Sequence, residues 1–131
     1  MTQEDKMLLI KDLSSRLPYA VHVQHISGVS GILHDISIYH KYDENDNICD
    51  AICYTDFLGG SIGIEQFKPY LFPLSSMTEE QEKEYNNLNC YELGCFPHSE
   101  EALDYLTKNH FDYRHLIEKG LAIDATGLNI Y

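Results

Sequence analysis

Three residues of the kinds that bind zinc lie close together in the chain, in the order Cys90, Cys95 and His98. Thiolate and imidazole groups are favoured zinc ligands, so this group is a weak candidate for a structural metal site. No C-x2-C pair accompanies it. Cys49 and Cys53 would be about 13 Å apart on one strand, which is too far for both to bind one ion. The sequence therefore favours buried thiols and a surface histidine, and no metal or other cofactor is predicted.

Nucleophilic catalysis would require a thiol or hydroxyl group held beside a base. Cys95 and His98 are the local pair that could supply one, and His110 and His115 are a second pair of titratable side chains. The chain has no G-x-S-x-G motif, no H-E-x-x-H motif and no glycine-rich loop that leads into a predicted helix. We therefore favour a non-enzymatic protein. The alternative is a small thiol- or metal-dependent hydrolase that uses Cys95 and His98, or His110 and His115.

The chain is strongly acidic, with 21 Asp and Glu residues, nine Lys and Arg residues and a formal net charge of −12. This balance counts against direct binding of nucleic-acid phosphates or of an anionic membrane surface. Acids at 79–84 and 100–104 begin two predicted helices, where the helix dipole favours them. Five more lie in or near a predicted hairpin turn: Asp43, Glu44, Asp46, Asp50 and Asp56. We expect these five to form an acidic face for a basic protein partner, with solubility and nucleic-acid mimicry as the alternatives.

A second candidate surface combines aromatic and cationic residues. Phe111, Tyr113 and Arg114 lie within four positions of one another, beside His110 and His115. Arginine and tyrosine are common anchors in protein interfaces, so this group is a candidate docking surface. We favour the alternative that Phe111 and Tyr113 fill the core while Arg114 pairs with a nearby acid, since aromatic side chains are usually buried when they can be.

The N-terminal half of the chain predicts one helix followed by a sheet. Apolar residues at three- to four-residue spacing predict an amphipathic helix over residues 3–16, with Thr2 as its N-cap and acids such as Asp12 on its other faces. Alternation of apolar and polar residues then predicts four strands, and in the second of them Leu33 and Ile36 fall on opposite faces. The strands lie around residues 21–24, 32–39, 48–54 and 62–64. Their short links favour an antiparallel meander, which strong twist could curl into a half-barrel.

The C-terminal half predicts three helices. Residues 68–74 form an extended connector, because each proline restricts the residue before it. The predicted helices cover 79–88, a segment from the Ser99 cap to about residue 109, and 113–119 with Asp112 as N-cap. The expected fold is thus a single α+β domain over residues 1–131.

The N-terminus has acids ahead of its apolar stretch and no small-residue cleavage site, so no secretory signal is predicted. The longest apolar runs, at 7–10 and 70–74, are far shorter than the roughly 20 residues that span a bilayer. We expect a cytoplasmic protein with reduced cysteines and no membrane association. The sequence does not indicate an oligomeric state.

Three stretches carry a resemblance that extends over nearly the whole chain. They are residues 16–21 (RLPYAV), 68–80 (KPYLFPLSSMTEE) and 109–122 (NHFDYRHLIEKGLA). In order and spacing the chain resembles a family of small uncharacterised proteins from Bacteroides-type gut bacteria and their phages or mobile elements. The chain departs from that family where glycine is expected, at Ala20 and His115. The resemblance implies a shared scaffold and an accessory role on mobile DNA, and it brings no established activity.

Overall fold

The computed structural model describes residues 1–42, 47–60, 62–89 and 99–131. The fold is α+β, with an N-terminal helix and a mixed sheet of seven strands. The backbone divides into two compact units, Met1–Tyr70 and Leu71–Tyr131. That the chain folds as a single domain stays a prediction.

The first unit begins with helix α1 (Gln3–Arg16), as the amphipathic pattern predicted. The Thr2 hydroxyl accepts a hydrogen bond from the Asp5 amide at 3.0 Å, which caps the helix as expected. Leu9 and Leu13 of α1 are fully buried. Each such leucine contributes about 2 kcal/mol by leaving water, so the apolar stripe is what attaches α1 to the unit.

Four antiparallel strands follow α1 and match the predicted meander in order. They are β1 (His22–His25), β2 (Ser30–Tyr42), β3 (Asn47–Thr55) and β4 (Ile62–Gly63). Helix α1 contacts β3, on which Ala51 and Cys53 are buried. Val23 of β1 and Leu33 of β2 are buried as well. The core of this unit therefore lies between the helix and the sheet.

A β-bulge in β2 changes which residues share a face of the sheet. Leu33 lies opposite Thr55, and beyond the bulge Ile36 lies opposite Cys53. Since opposed residues of an antiparallel pair lie on the same face, Leu33 and Ile36 are on the same face. The alternation predicted opposite faces, and that prediction is wrong because a bulge inserts one extra residue into the strand.

The predicted connector at 68–74 is a strand, β5 (Phe67–Pro73). Its first half pairs antiparallel with β1, and its second half pairs parallel with β6 (Phe111–Asp112). A short strand β7 (Ile123–Asp124) also pairs with β5. The prediction of about four strands is therefore wrong in number, and the sheet is mixed rather than wholly antiparallel because β5 and β6 are parallel. An extended segment becomes a strand when other segments supply hydrogen-bond partners, and those partners are remote in sequence.

In the second unit, helices α2 (Glu79–Asn89) and α3 (Glu100–Lys108) lie where the sequence predicted them. Thr78 and Gln81 form the predicted capping box, with bonds of 2.9 and 3.2 Å. The Ser99 hydroxyl accepts from the Ala102 amide at 3.1 Å and caps α3. Within the described ranges, no helix is long and apolar enough to cross a membrane.

The predicted third C-terminal helix is absent, and residues 113–120 form turns instead. The Asp112 carboxylate accepts hydrogen bonds from the amides of Leu116 and Ile117, both at 2.9 Å, so it does cap this segment. His115, however, has a φ of +59°, which is incompatible with a right-handed helix. One left-handed residue therefore converts the expected helix into a capped series of turns.

Glycine at two left-handed positions should stabilise the protein. Ala20 and His115 are exposed and have φ values of +54° and +59°, and both stand where the resembled family is expected to carry glycine. We expect Ala20→Gly and His115→Gly each to raise the free energy of unfolding by about 0.5–1 kcal/mol, because relief of left-handed strain exceeds the added entropy of the unfolded chain. Urea unfolding measures both changes. Lys11→Gly, at an exposed position inside α1, is the control and should cost about 1 kcal/mol. Destabilisation by glycine at all three positions would contradict the expectation.

Candidate functional surfaces

The predicted acidic face of the hairpin is described only in part. Three of its acids lie outside the described residues: Asp43, Glu44 and Asp46. Asp50 is buried, accepts a hydrogen bond from the Ala51 amide at 2.8 Å and lies 3.3 Å from the ammonium group of Lys6. Asp56 is about half exposed, and its carboxylate lies 3.6 Å from the imidazole of His34. Asp50 therefore links β3 to α1 through Lys6. Of the two described acids of this face, Asp56 is the exposed one.

The aromatic group around residue 111 lies mostly in the interior. Phe111 is 2% exposed and Tyr113 is 6% exposed. The buried cluster that they join also contains Tyr85, Ala102 and Leu106. Arg114 is half-buried, and its guanidinium carbon lies 4.5 Å from the centre of the Tyr113 ring. Of the three predicted docking residues, Arg114 is thus the one with substantial exposed surface.

The structure does not bring His110 and His115 together in one cavity. His110 is buried, and its ring stacks on that of Tyr131 with centroids 3.7 Å apart. His115 is exposed and lies 3.8 Å from the carboxylate of Glu118. The two histidines line different clefts of the second unit. The other pair of the hydrolase hypothesis, Cys95 and His98, lies outside the described residues.

The cysteines that the structure describes are buried free thiols. Cys49 and Cys53 both face the interior. Burial, and to a smaller extent the nearby charge of Glu65, raise the pKa of the Cys53 thiol to about 12. Cys90, a weak zinc candidate with Cys95 and His98, also lies outside the described residues. In the described part of the chain no group of three His, Cys, Asp or Glu side chains could hold a metal ion.

The raised pKa of Cys53 predicts an inert thiol in the folded protein. At pH 8 we expect iodoacetamide to label Cys53 only after unfolding in urea, as peptide mass spectrometry can measure. The folded thiol keeps its proton up to about pH 12, whereas the unfolded thiol loses it near 9.0. The stability that this thiol contributes is therefore present below pH 9 and lost as the pH rises above it. Cys53→Ala should reduce this loss of folding free energy at alkaline pH. Labelling of native Cys53 at the rate of an unfolded control would contradict the expectation.

The second unit carries an acidic surface on α2 and α3, which pack against each other. We call it the acidic helix pair, and its exposed carboxylates are Glu79, Glu80, Glu84, Glu100, Glu101 and Asp104. Among the described residues no Lys or Arg forms an ion pair with any of them. The sequence showed these acids, but we attributed them to the helix dipole. The Ser99 hydroxyl at the start of α3 donates to the Leu88 carbonyl near the end of α2 at 2.9 Å, so the two acidic first turns lie toward opposite ends of the helix pair.

A hydrogen bond between two side chains joins the two helices. The Tyr105 hydroxyl of α3 donates to the Glu84 carboxylate of α2 at 3.1 Å. Burial of the phenol, and then its hydrogen bond to Glu84 and the charge of that group, raise the pKa of Tyr105 to about 12. Tyr105 therefore stays a neutral hydrogen-bond donor to Glu84.

A cleft of about 450 Å³ lies in the second unit beside the end of α3. Its walls include the rings of Phe72, His110, Phe111 and Tyr131, together with the Lys108 side chain. These residues come from β5, from the end of α3 and β6, and from the last residues of the chain. No spacing pattern reveals such a site, because its members are separated in sequence by up to about 60 positions.

No family model, curated protein or solved structure matches this chain. The resemblance to small proteins of gut bacteria and their mobile elements accordingly stays a prediction. The acidic helix pair, the aromatic cleft and the exposed part of the hairpin are the surfaces from which a function can be argued.

Proposed function

We propose that the chain is a non-enzymatic accessory protein that binds a basic protein partner through the acidic helix pair. The observation that carries the proposal is the set of exposed carboxylates on α2 and α3 with no cationic partner among the described residues. The described acids of the hairpin differ, because Asp50 is held by Lys6 and Asp56 lies beside His34. The acidic face is therefore proposed for the helix pair rather than for the hairpin alone.

The helix dipole accounts for only some of these carboxylates. Glu79, Glu80, Glu100 and Glu101 lie in first turns, where negative charge is stabilised by about 0.3–1 kcal/mol each. Glu84 and Asp104 lie beyond the first turns of α2 and α3. Exposed carboxylates that no described cation pairs with attract a cationic surface.

The partner's chemistry follows from this surface. Lysine and arginine side chains are complementary in charge to exposed carboxylates. Such complementarity accelerates the association of two proteins, and the attraction weakens at high salt. The resemblance to proteins of phages and mobile elements supports an accessory role carried on mobile DNA. A cytoplasmic location is part of the same proposal.

The test is affinity capture from the host lysate at two salt concentrations. Charges are screened weakly at about 0.05 M salt and strongly at about 0.5 M salt. The binding variant combines Glu80→Gln, Glu101→Gln and Asp104→Asn. The control removes the same charge from exposed sites elsewhere, with Glu4→Gln, Glu65→Gln and Glu118→Gln.

We expect a basic protein to be captured at low salt by the native chain and by the control, and not by the binding variant. Capture of nothing at either salt concentration would contradict the proposal. So would equal loss of the captured protein in both variants, because net charge alone would then explain binding.

A further inference from the structure

The cleft beside the end of α3 differs in charge from the rest of the molecule. The chain has 21 acidic and nine basic residues, yet the described residues that line this cleft include Lys108 and His110 and no Asp or Glu. Lys108 is exposed, so its ammonium group is accessible to a ligand. The local chemistry therefore favours an anion in a protein that otherwise repels anions.

The walls of the cleft are aromatic. The His110 and Tyr131 rings are stacked with an angle of 12° between their planes. The Phe72 ring lies 5.8 Å from that of Tyr131 and 6.2 Å from that of Phe111, measured between centroids. Rings in these arrangements offer faces and edges on which a further planar group can stack.

The backbone at His110 keeps its ring in this wall under strain. His110 follows α3 with a φ of +62°, a conformation that costs a non-glycine residue about 1–2 kcal/mol. Its amide donates to the Thr107 carbonyl at 3.2 Å, and its carbonyl accepts from the Phe72 amide at 2.8 Å. Glycine would satisfy the same backbone geometry without this strain.

We propose that this cleft binds a small planar organic anion, with its ring against Tyr131 and its carboxylate or phosphate on Lys108. The volume of about 450 Å³ lies within the range of sites for small ligands, roughly 300–1,000 Å³. Ser76, Gln81 and Thr126 also line the cleft and supply hydroxyl and amide groups for orientation. This site is independent of the acidic helix pair and does not require a protein partner.

The experiment is an NMR titration of the intact chain with four probes: benzoate, phenyl phosphate, benzamide and inorganic phosphate. We expect saturable shifts of the Phe72, Phe111 and Tyr131 ring signals with benzoate and phenyl phosphate. Benzamide lacks the charge and inorganic phosphate lacks the ring, so each should bind at least about fivefold more weakly. The tighter of the two aromatic anions identifies the acid group that the cleft prefers.

Lys108→Met tests the charge, and Lys119→Met is the matched control because Lys119 is exposed and does not line the cleft. We expect the dissociation constant to rise about fivefold in Lys108→Met and to stay unchanged in the control. Circular dichroism establishes that both variants are folded. Shifts that do not saturate with either aromatic anion, or equal affinity in Lys108→Met and native protein, would overturn the proposal.

Discussion

Replacing Asp12 by alanine is expected to lower the free energy of unfolding by about 3–5 kcal/mol. The Asp12 carboxylate accepts hydrogen bonds from the guanidinium group of Arg16, at 2.9 Å from Nε and 3.1 Å from Nη2. Both side chains are completely shielded from solvent. The substitution removes this carboxylate from a buried guanidinium group, and breaking a buried ion pair by removing one partner costs several kcal/mol. Urea unfolding monitored by circular dichroism measures the loss.

Two variants make this expectation specific to the ion pair. The double substitution Asp12→Leu with Arg16→Met removes both charges and keeps apolar volume, so it should cost much less than Asp12→Ala alone. Glu4→Ala removes an exposed acid from the same helix and should change stability by less than about 0.5 kcal/mol. A loss below about 1 kcal/mol for Asp12→Ala would show that the pair is dispensable.

The burial of this pair could not be predicted from the sequence, although its i to i+4 spacing is visible there. Asp12 follows Lys11 on a face of α1 that the pattern assigns to solvent, and nothing local distinguishes the two residues. In the structure Lys11 is exposed and Asp12 is buried. The difference arises from the segments that pack around the helix, which are remote in sequence.

The helices themselves could be predicted, because the signals that define them are local. Thr2, Thr78 and Ser99 cap α1, α2 and α3 through residues at most three positions away. Strands β6 and β7 each have two residues, and what makes them strands is their pairing with β5. Period-2 alternation cannot appear in two residues, so the sequence pattern does not predict β6.

The two candidate surfaces show the same difference between local features, which the sequence reveals, and contacts between remote segments, which it does not. Charge is a local property, so the sequence alone shows the acids of α2 and α3, whereas the packing of the two helices is tertiary information. The cleft combines Phe72, Lys108 and Tyr131, which no local signal connects. The chemistry of single residues is therefore visible in the sequence, whereas their assembly into a site depends on contacts between segments that are remote in sequence.

Phe111→Ala is the second substitution from which we expect a large effect, a loss of about 3–5 kcal/mol in the free energy of unfolding. Phe111 is 2% exposed, lies in register with Phe72 of β5 and belongs to the buried cluster of the second unit. Removing its ring leaves a cavity that the surrounding side chains fill only in part, so the lost transfer energy and the cavity both contribute. Thermal unfolding monitored by circular dichroism compares the variant with native protein.

The same substitution separates the two interpretations of the aromatic group around residue 111. An interface anchor would lose its partner on truncation and leave the melting temperature unchanged, whereas a core residue lowers it. Arg114→Ala is the neighbouring control, since Arg114 is half-buried over the Tyr113 ring and should cost only about 0.5–1 kcal/mol. Phe111→Leu keeps most of the apolar volume, so it should recover most of the loss. The burial of Phe111 and Tyr113 supports the core interpretation. If Phe111→Ala and Phe111→Leu both have the melting temperature of native protein, that interpretation is contradicted and the docking interpretation is favoured.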